Sequence, residues 1–494
     1  MTRRGEPSRA IFAVLLLAAV SYALLQAVVA PALPLLQRDL HTTQGAATFV
    51  FTAFLLSSAI ATPILGRLAD LHGRRPVLLA VLSSVLVGCV VCAVARSIQV
   101  FVVGRVLQGV GGAVFAVSYG VVRDQAPTGR VAGRIGLLSA MLAVGGALGL
   151  VLAGPAVAHL GYHWLFALPL ALTAMALLGV HAFLPSNSPS GRHRLPWASA
   201  LALSAVLCTM LLVISQGSAW GWASGRILLL AVTTAALMAG WVILERRAPH
   251  PLVDARLMRL TVVWRTNLAA LFLGAGMFAV NLLVPAFLET PRRAGYGLGL
   301  DVTKAGLFML PVSAAIFAGG LLTGRAERRF GSKAVLVGGA ATMAAGMALL
   351  ALWHRAAGQV LGGLVAVGAG QGFAFAAVAS LLVAAVPASQ TGIAAAMNTN
   401  IRTIGGCLGA QLAAAILAAG VGAGSLPAEH GYVLAFGFGA AGLAGCAAMA
   451  ALTPAAGRAV VAGSEVGPSP FLDPAQKFHG EPADPALADR PRRP

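Results

Sequence analysis

Stretches of about 20 consecutive, mostly apolar residues recur along almost the whole chain, each long enough to cross a hydrocarbon core about 30 Å thick. They lie near residues 10–32, 46–66, 76–95, 99–121, 133–157, 164–184, 197–215, 226–245, 264–289, 304–324, 334–353, 359–386, 392–420 and 431–452. This pattern predicts fourteen transmembrane helices, because backbone in lipid must satisfy its own hydrogen bonds and a helix does so within one segment. A transmembrane barrel would show short alternating strands instead. Composition agrees: 58 % of the residues are hydrophobic and 10 % charged, against about 45–50 % and about 25 % in soluble domains. A soluble globular protein, a disordered chain and a disulfide scaffold are excluded. The apolar run after MTRRGEPSRA resembles a signal peptide but is too long for a cleaved one, and is read as the first helix.

A formal net charge of +19 invites a nucleic-acid partner, but its distribution argues otherwise. When the spans are threaded alternately, one side carries 25 of the 34 Lys and Arg residues. The other carries seven: Arg38, Arg96, Arg226, Arg292, Arg293, Lys304 and Arg355. The positive-inside rule puts the basic side, with both termini, in the cytoplasm. The basic excess thus sets topology, and no nucleic acid is expected. The 31 arginines against three lysines, with abundant Ala and Gly, point to a GC-rich bacterial genome and so to a bacterial plasma (inner) membrane. Cys89 and Cys92 form a CxxC, but no His or second pair accompanies them. They read as small apolar packing residues, and no metal or cofactor is expected.

The chain repeats itself. GRLADLHGRRPVLL from Gly66 and GRAERRFGSKAVLV from Gly324 share Gly, Arg and Gly spacing at an offset of 258. VGGALG (Val144 to Gly149) and IGGCLG (Ile404 to Gly409) match at an offset of 260. The expected organisation is a cytoplasmic N-terminus (1–9), a first six-helix bundle (10–184), a cytoplasmic loop (185–196), two linker helices (197–245) and a second cytoplasmic loop (246–263). A second six-helix bundle (264–452) and a disordered cytoplasmic tail (453–494) follow. Paired halves place a binding site between them near the membrane midplane.

The loop after the second span carries Gly66, Arg67, Asp70, Gly73, Arg74 and Arg75. Gly66 permits close packing, Gly73 a tight turn, and Asp70 a cap or a pair with Arg74 or Arg75. The second-half counterpart supplies Gly324, Arg325, Gly331 and Lys333. In the fourth span Arg105, Gln108, Gly109 and Gly112 share one helical face. Arg105 lies roughly 9 Å into the membrane at 1.5 Å per residue, where a charge must face protein or water. In the thirteenth span Asn398, Arg402, Gly405 and Gly409 share a face, with Arg402 roughly 15 Å deep and Asn398 a candidate partner one turn away. Gly145, Gly146, Gly149 and Gly154 in the fifth span, like Gly405 and Gly409, form small-residue faces for close helix approach.

The repeated loop, the fourth-span motif and the helix count resemble the fourteen-helix drug/proton antiporter branch of the major facilitator superfamily. ERRAPHPLVDARL from Glu245, ETPRRAGYGLG and MNTNIRTIGG resemble segments of its actinobacterial members. The resemblance implies an all-α polytopic fold of two pseudo-symmetric six-helix bundles plus two linker helices. It implies a monomeric exporter, not an enzyme, of a small lipophilic or amphipathic drug, antibiotic or metabolite. Protons would drive it and the two loops would serve as gates. It links the Arg105 position with proton coupling; a tie from that Arg to carbonyls of the first helix is the structural alternative. For Arg402 the two readings are substrate contact or gating and a tie between helices.

The chain departs from the branch pattern in two places. Gly149 is followed by Leu150 rather than Pro, and the acid expected before Ala32, Leu33 and Pro34 is Leu25. A proton-coupled carrier needs a titratable group. Glu289, at the outer end of its span, and then Asp124 are the candidates, with a solvated cap as the alternative for Glu289. An importer or symporter of a sugar or organic anion is the rival transporter. A membrane enzyme is disfavoured, because no acid cluster or nucleophile–base pair lies within the spans.

Overall fold

In a computed structural model of the chain, residues 9–29, 32–42, 44–127, 130–155, 162–185, 195–248, 251–253, 255–300, 302–387, 390–419 and 427–454 are described. They are almost entirely helical. The first half holds α1 (Arg9–Ala27), α2 (Leu33–Asp39), α3 (Gln44–His72), α4 (Arg74–Val94), α5 (Ile98–Gly109), α6 (Ala113–Gln125), α7 (Val131–Pro155) and α8 (Ala167–Phe183). Next come α9 (Trp197–Trp220), α10 (Gly225–Arg247) and α11 (Ala255–Arg259). The second half holds α12 (Thr261–Glu289), α13 (Val302–Phe308), α14 (Leu310–Leu352), α15 (Ala357–Ala385), α16 (Thr391–Ala419) and α17 (Glu429–Leu452). Each of the fourteen predicted segments falls on helix over most of its length. Eleven helical stretches among the described residues are long and apolar enough to cross a membrane by length and composition.

The differences from the sequence reading have local causes. The first helix ends at Ala27 rather than 32, and the chain then turns into the short α2, which has Pro34 in its first turn. The fourth segment is two helices joined by a 3-10 turn at Val110–Gly112. The predicted loop from Gly66 is mostly helix: α3 runs on to His72, and Gly73 alone turns the chain, at φ +96°. Its repeat partner Gly331 sits at φ +80° and kinks α14, so the tenth and eleventh segments are continuous but for that one residue. Only glycine takes such angles without strain. The 246–263 loop is shortened by α10, which runs to Arg247, and contains α11. Most of the 185–196 loop (186–194), residues 1–8 and the tail from 455 lie outside the described residues.

Two apolar cores result. The first packs Leu15, Leu25, Phe54, Leu78, Phe101 and Phe166; the second packs Phe287, Leu336, Met343, Leu364 and Phe436. Ala379, Val383, Ala395 and Ala396 of the second half join the first core, so the halves touch. The main cross-half pairs are α3 with α16, α7 with α14 and α15, and α6 with α16. Within the halves, glycines of these faces lie unevenly against their neighbours. A methyl on Gly145 or Gly149 would collide with α1, and one on Gly405 or Gly409 with α12. Gly146 faces open space, and Gly154 falls near the end of α7. α9 leans on α3 and α16, and α10 packs on α9.

Candidate functional site

The two halves are clasped at the end that carries the basic turns. Asp70, in the last turn of α3, reaches across to the start of α16. There the Gly392 N–H donates to its Oδ1 (3.3 Å) and the Ile393 N–H to its Oδ2 (3.2 Å). These first-turn donors have no partner within their own helix, and the helix dipole favours a negative charge beside them. Gly66 makes the approach possible: a methyl there would come within 2.8 Å of the Gly392 carbonyl oxygen. Arg123 of α6 donates to the Thr391 hydroxyl (2.6 Å), adding a second tie to the same helix end. Further along, the Asn400 amide donates to the Ala59 carbonyl (2.8 Å). On the α7–α14 side, Gly133 abuts Gly324 and Gly136 abuts Gly320.

Arg74 and Arg75, adjacent in sequence, have separate tasks. The Arg74 guanidinium is buried between Asp70 (3.6 Å) and Asp124, with which it forms an ion pair. It lies over Gly120, where any side chain would meet it. Arg75 instead donates to the His181 carbonyl of α8 (2.7 Å). Asp124 is therefore part of the clasp. Arg67 lies close enough to Asp70 for their charges to interact. In the second-half turn, Arg325 and Gly331 are exposed and Lys333 partly so.

Arg105 and Arg402, the two arginines within spans, sit differently. Arg105 is fully buried. Its Nη1 donates to the Leu25 carbonyl of α1 (3.2 Å) and to Gln108 Oε1 (2.7 Å), and its guanidinium lies 4.1 Å from the centre of the Phe54 ring. Leu25, where the resemblance led us to look for an acid, thus contributes its backbone oxygen. Gly109 backs onto Phe54 and Ser57 of α3. Arg402 is partly accessible. It stacks 4.2 Å from the Phe375 ring centre and lies in electrostatic range of Tyr22 and Tyr119 of the first half. No carboxylate lies within ion-pair distance of it among the described residues.

Asn398 does not partner Arg402: its amide donates to Asn267 Oδ1 of α12 (2.9 Å). Glu289 is exposed at the end of α12 and joins neither arginine. Cys89 and Cys92 are buried. Gln108 donates to the first (3.7 Å), and the second donates to the Phe101 carbonyl (3.6 Å). Among the described residues no group of three or more His, Cys, Asp and Glu could hold a metal ion.

Sequence reasoning missed Arg123, Asn400 and the clasp role of Asp124; a polar residue inside an apolar run was the available signal for Asn400. It also missed Glu245. Glu245 is buried where its carboxylate accepts from the Val253 N–H (2.5 Å) and the Ser199 hydroxyl, tying α10 to α9 and to the segment before α11.

The model of the Major Facilitator Superfamily matches residues 15–410. The multidrug resistance protein Stp of Mycobacterium tuberculosis is 27 % identical over 391 residues, covering 78 % of this chain and 72 % of that one. The tetracenomycin C resistance and export protein of Streptomyces glaucescens is 25 % identical over 424 residues, covering 85 % and 77 %. Among solved structures, the human organic anion transporter MFSD10 superposes with a TM-score of 0.64 at 16 % identity, over 91 % of this chain and all of that one.

Proposed function

The chain belongs to the major facilitator superfamily, and from that premise we propose that it exports a small lipophilic or amphipathic compound in exchange for protons. It is a multi-pass membrane transporter and not an enzyme. In the proposed arrangement the chain crosses a bacterial inner membrane fourteen times, with the basic turns and both termini in the cytoplasm. Relatives named for multidrug resistance and for tetracenomycin C resistance and export support the direction of transport.

The observation that carries the reading is the Asp70 clasp on the first turn of α16. Alternating access requires a contact between halves that can break and re-form without unfolding either. At its centre one carboxylate meets two backbone donors, backed by Gly66 and flanked by the Arg74–Asp124 pair. Breaking it leaves α3 and α16 intact as helices. In this reading the clasp closes the cytoplasmic end. A substrate would enter between the halves, where Arg402, Tyr22 and Tyr119 meet. A fixed cation there, with no acid paired to it among the described residues, favours neutral, zwitterionic or weakly acidic compounds over permanent cations.

The test is uptake of candidate compounds into everted membrane vesicles with an imposed pH gradient. Gradient-dependent accumulation that is lost in Asp70→Asn, at equal protein abundance, is the expected result. Normal turnover in that variant would leave the turn with a topological role only.

A further inference from the structure

We propose that Glu327 is a proton-binding site of the transport cycle: it holds its proton while the halves are closed at the basic end and releases it to the cytoplasm when they part. This rests on the proton-coupled reading above and names the group that such a cycle needs.

Glu327 lies in α14, four residues before the kink at Gly331. Arg325, Arg328 and Arg329 around it are exposed, but Glu327 itself is only 7 % exposed. Neither of its carboxyl oxygens has a hydrogen-bond partner in bonding geometry, and among the described residues it forms no ion pair. The hydroxyls of Ser332 and Ser380 lie nearby, and the Ser380 hydroxyl is itself buried and without a partner. The helices of its own half packed on α14 bring no countercharge near it among the described residues. α15 has no charged residue, and the charged groups of α13 and α17 (Lys304, Glu429 and His430) belong to their opposite ends. Arg134 of α7 and Arg130 just before it are the cations of the facing element.

An ionised carboxylate in such a place, with two hydroxyls near it and no cation paired to it, carries a large desolvation cost. A neutral carboxylic acid does not, and a rotation lets it share its proton with Ser380 Oγ. The site is also joined to the contact that must open. Gly324 and Gly320, three and seven residues before Glu327, are the residues of α14 that abut Gly133 and Gly136 of α7. Parting these glycines admits water and lets the exposed arginines approach, which stabilises the ionised form.

The repeat supports a distinct role. Ser332 stands at the position of Arg74, at the offset of 258, and Ser380 at that of Gly120, at the offset of 260. In the first half the Arg74 guanidinium lies over Gly120 and pairs with two acids. In the second half the equivalent positions hold two serines beside a single carboxyl. A fixed ion pair has been replaced by one titratable group.

The test uses the full chain and Glu327→Gln. Infrared difference spectra between acidic and alkaline buffers should contain a protonated carboxylic acid band in the wild type that the variant lacks; identical spectra overturn the proposal. In proteoliposomes a one-unit pH gradient should sustain roughly tenfold accumulation of radiolabelled chloramphenicol exchanged one for one with protons. Glu327→Gln should carry chloramphenicol downhill yet sustain no accumulation, and accumulation equal to the wild type overturns the proposal. If the wild type moves no chloramphenicol, the infrared arm still decides for or against Glu327, and the failure counts against the exporter reading.

Discussion

The turn after α3 and the kink in α14 share one backbone frame, with a glycine at positive φ in each (Gly73 and Gly331), yet they place their acids on different faces. Asp70 lies three residues before its glycine and Glu327 four residues before. In a helix one residue is a rotation of about 100°. Asp70 therefore meets the first turn of α16 across the boundary between halves, while Glu327 turns inward toward Ser380 of its own half. Arg328, which occupies the Asp70 position of the second frame, is exposed. A repeated motif thus fixes where the chain turns and says little about what the turn does. A one-residue shift separates a clasp between halves from a buried acid within one.

The largest effect that would break this comparison falls on Asp70. Asp70→Asn keeps the size and drops the charge, and hydrogen bonds to a charged group contribute about 1.5–3 kcal/mol each. Transport in everted vesicles should fall by roughly ten- to a hundredfold at unchanged abundance on a membrane immunoblot. Arg74→Lys comes next. It loses the planar fork that spans Asp70 and Asp124, for roughly a tenfold loss of transport. Arg75→Lys, whose group is partly exposed and bonds one carbonyl, should stay within about twofold; equal losses in the two would mean that the clasp is not built on Arg74. Gly120→Ala sharpens the contrast further. Its methyl would displace Arg74 and slow transport severalfold, whereas Ser380→Ala at the repeat-equivalent position should leave maximal transport unchanged and alter only its pH profile.

The features legible in the sequence are those whose cause is local. Apolar length gave the helices, and positive-φ glycines gave both turns. The spacing of Arg105 and Gln108 placed them in mutual reach, as observed at 2.7 Å. Gly145 and Gly149 lie against α1 and Gly405 and Gly409 against α12, while Gly146 of the same run faces open space. The cross-half partners were not legible, because Asp70 bonds backbone N–H groups more than 300 residues away, and backbone donors carry no side-chain signature. Asn398 illustrates the same limit. Its position one turn from Arg402 made an intrahelical partner reasonable, yet it points at Asn267 on α12, and Arg402 turns to Phe375 on α15. Glu327 was readable as an inner-loop acid beside three arginines. Its burial depends on which way that turn of helix faces.

The smallest expected effect contrasts the two arginines within spans, and it concerns selectivity rather than rate. Both are fixed positive charges, because arginine does not deprotonate in proteins. Arg105 is neutralised in part by the Leu25 carbonyl and Gln108 and is closed off from solvent, so its field is spent on holding α5 to α1. Arg402 has a ring face and two phenols near it and remains partly accessible. At 8 Å and an effective dielectric of 20, a unit charge on a substrate would feel about 2 kcal/mol from it, and water between them reduces that. Arg402→Gln should therefore weaken competition by a weakly acidic compound severalfold and strengthen that by a quaternary ammonium dye, with neutral compounds unmoved. Arg105→Gln should lower the amount of folded protein without reordering the competitors. The measurement is a competition assay in vesicles. If the wild type prefers the dye over a neutral compound of similar size, or if Arg402→Gln leaves the acid's competition unchanged, the Arg402 charge does not act on the substrate and the two arginines are both ties between helices.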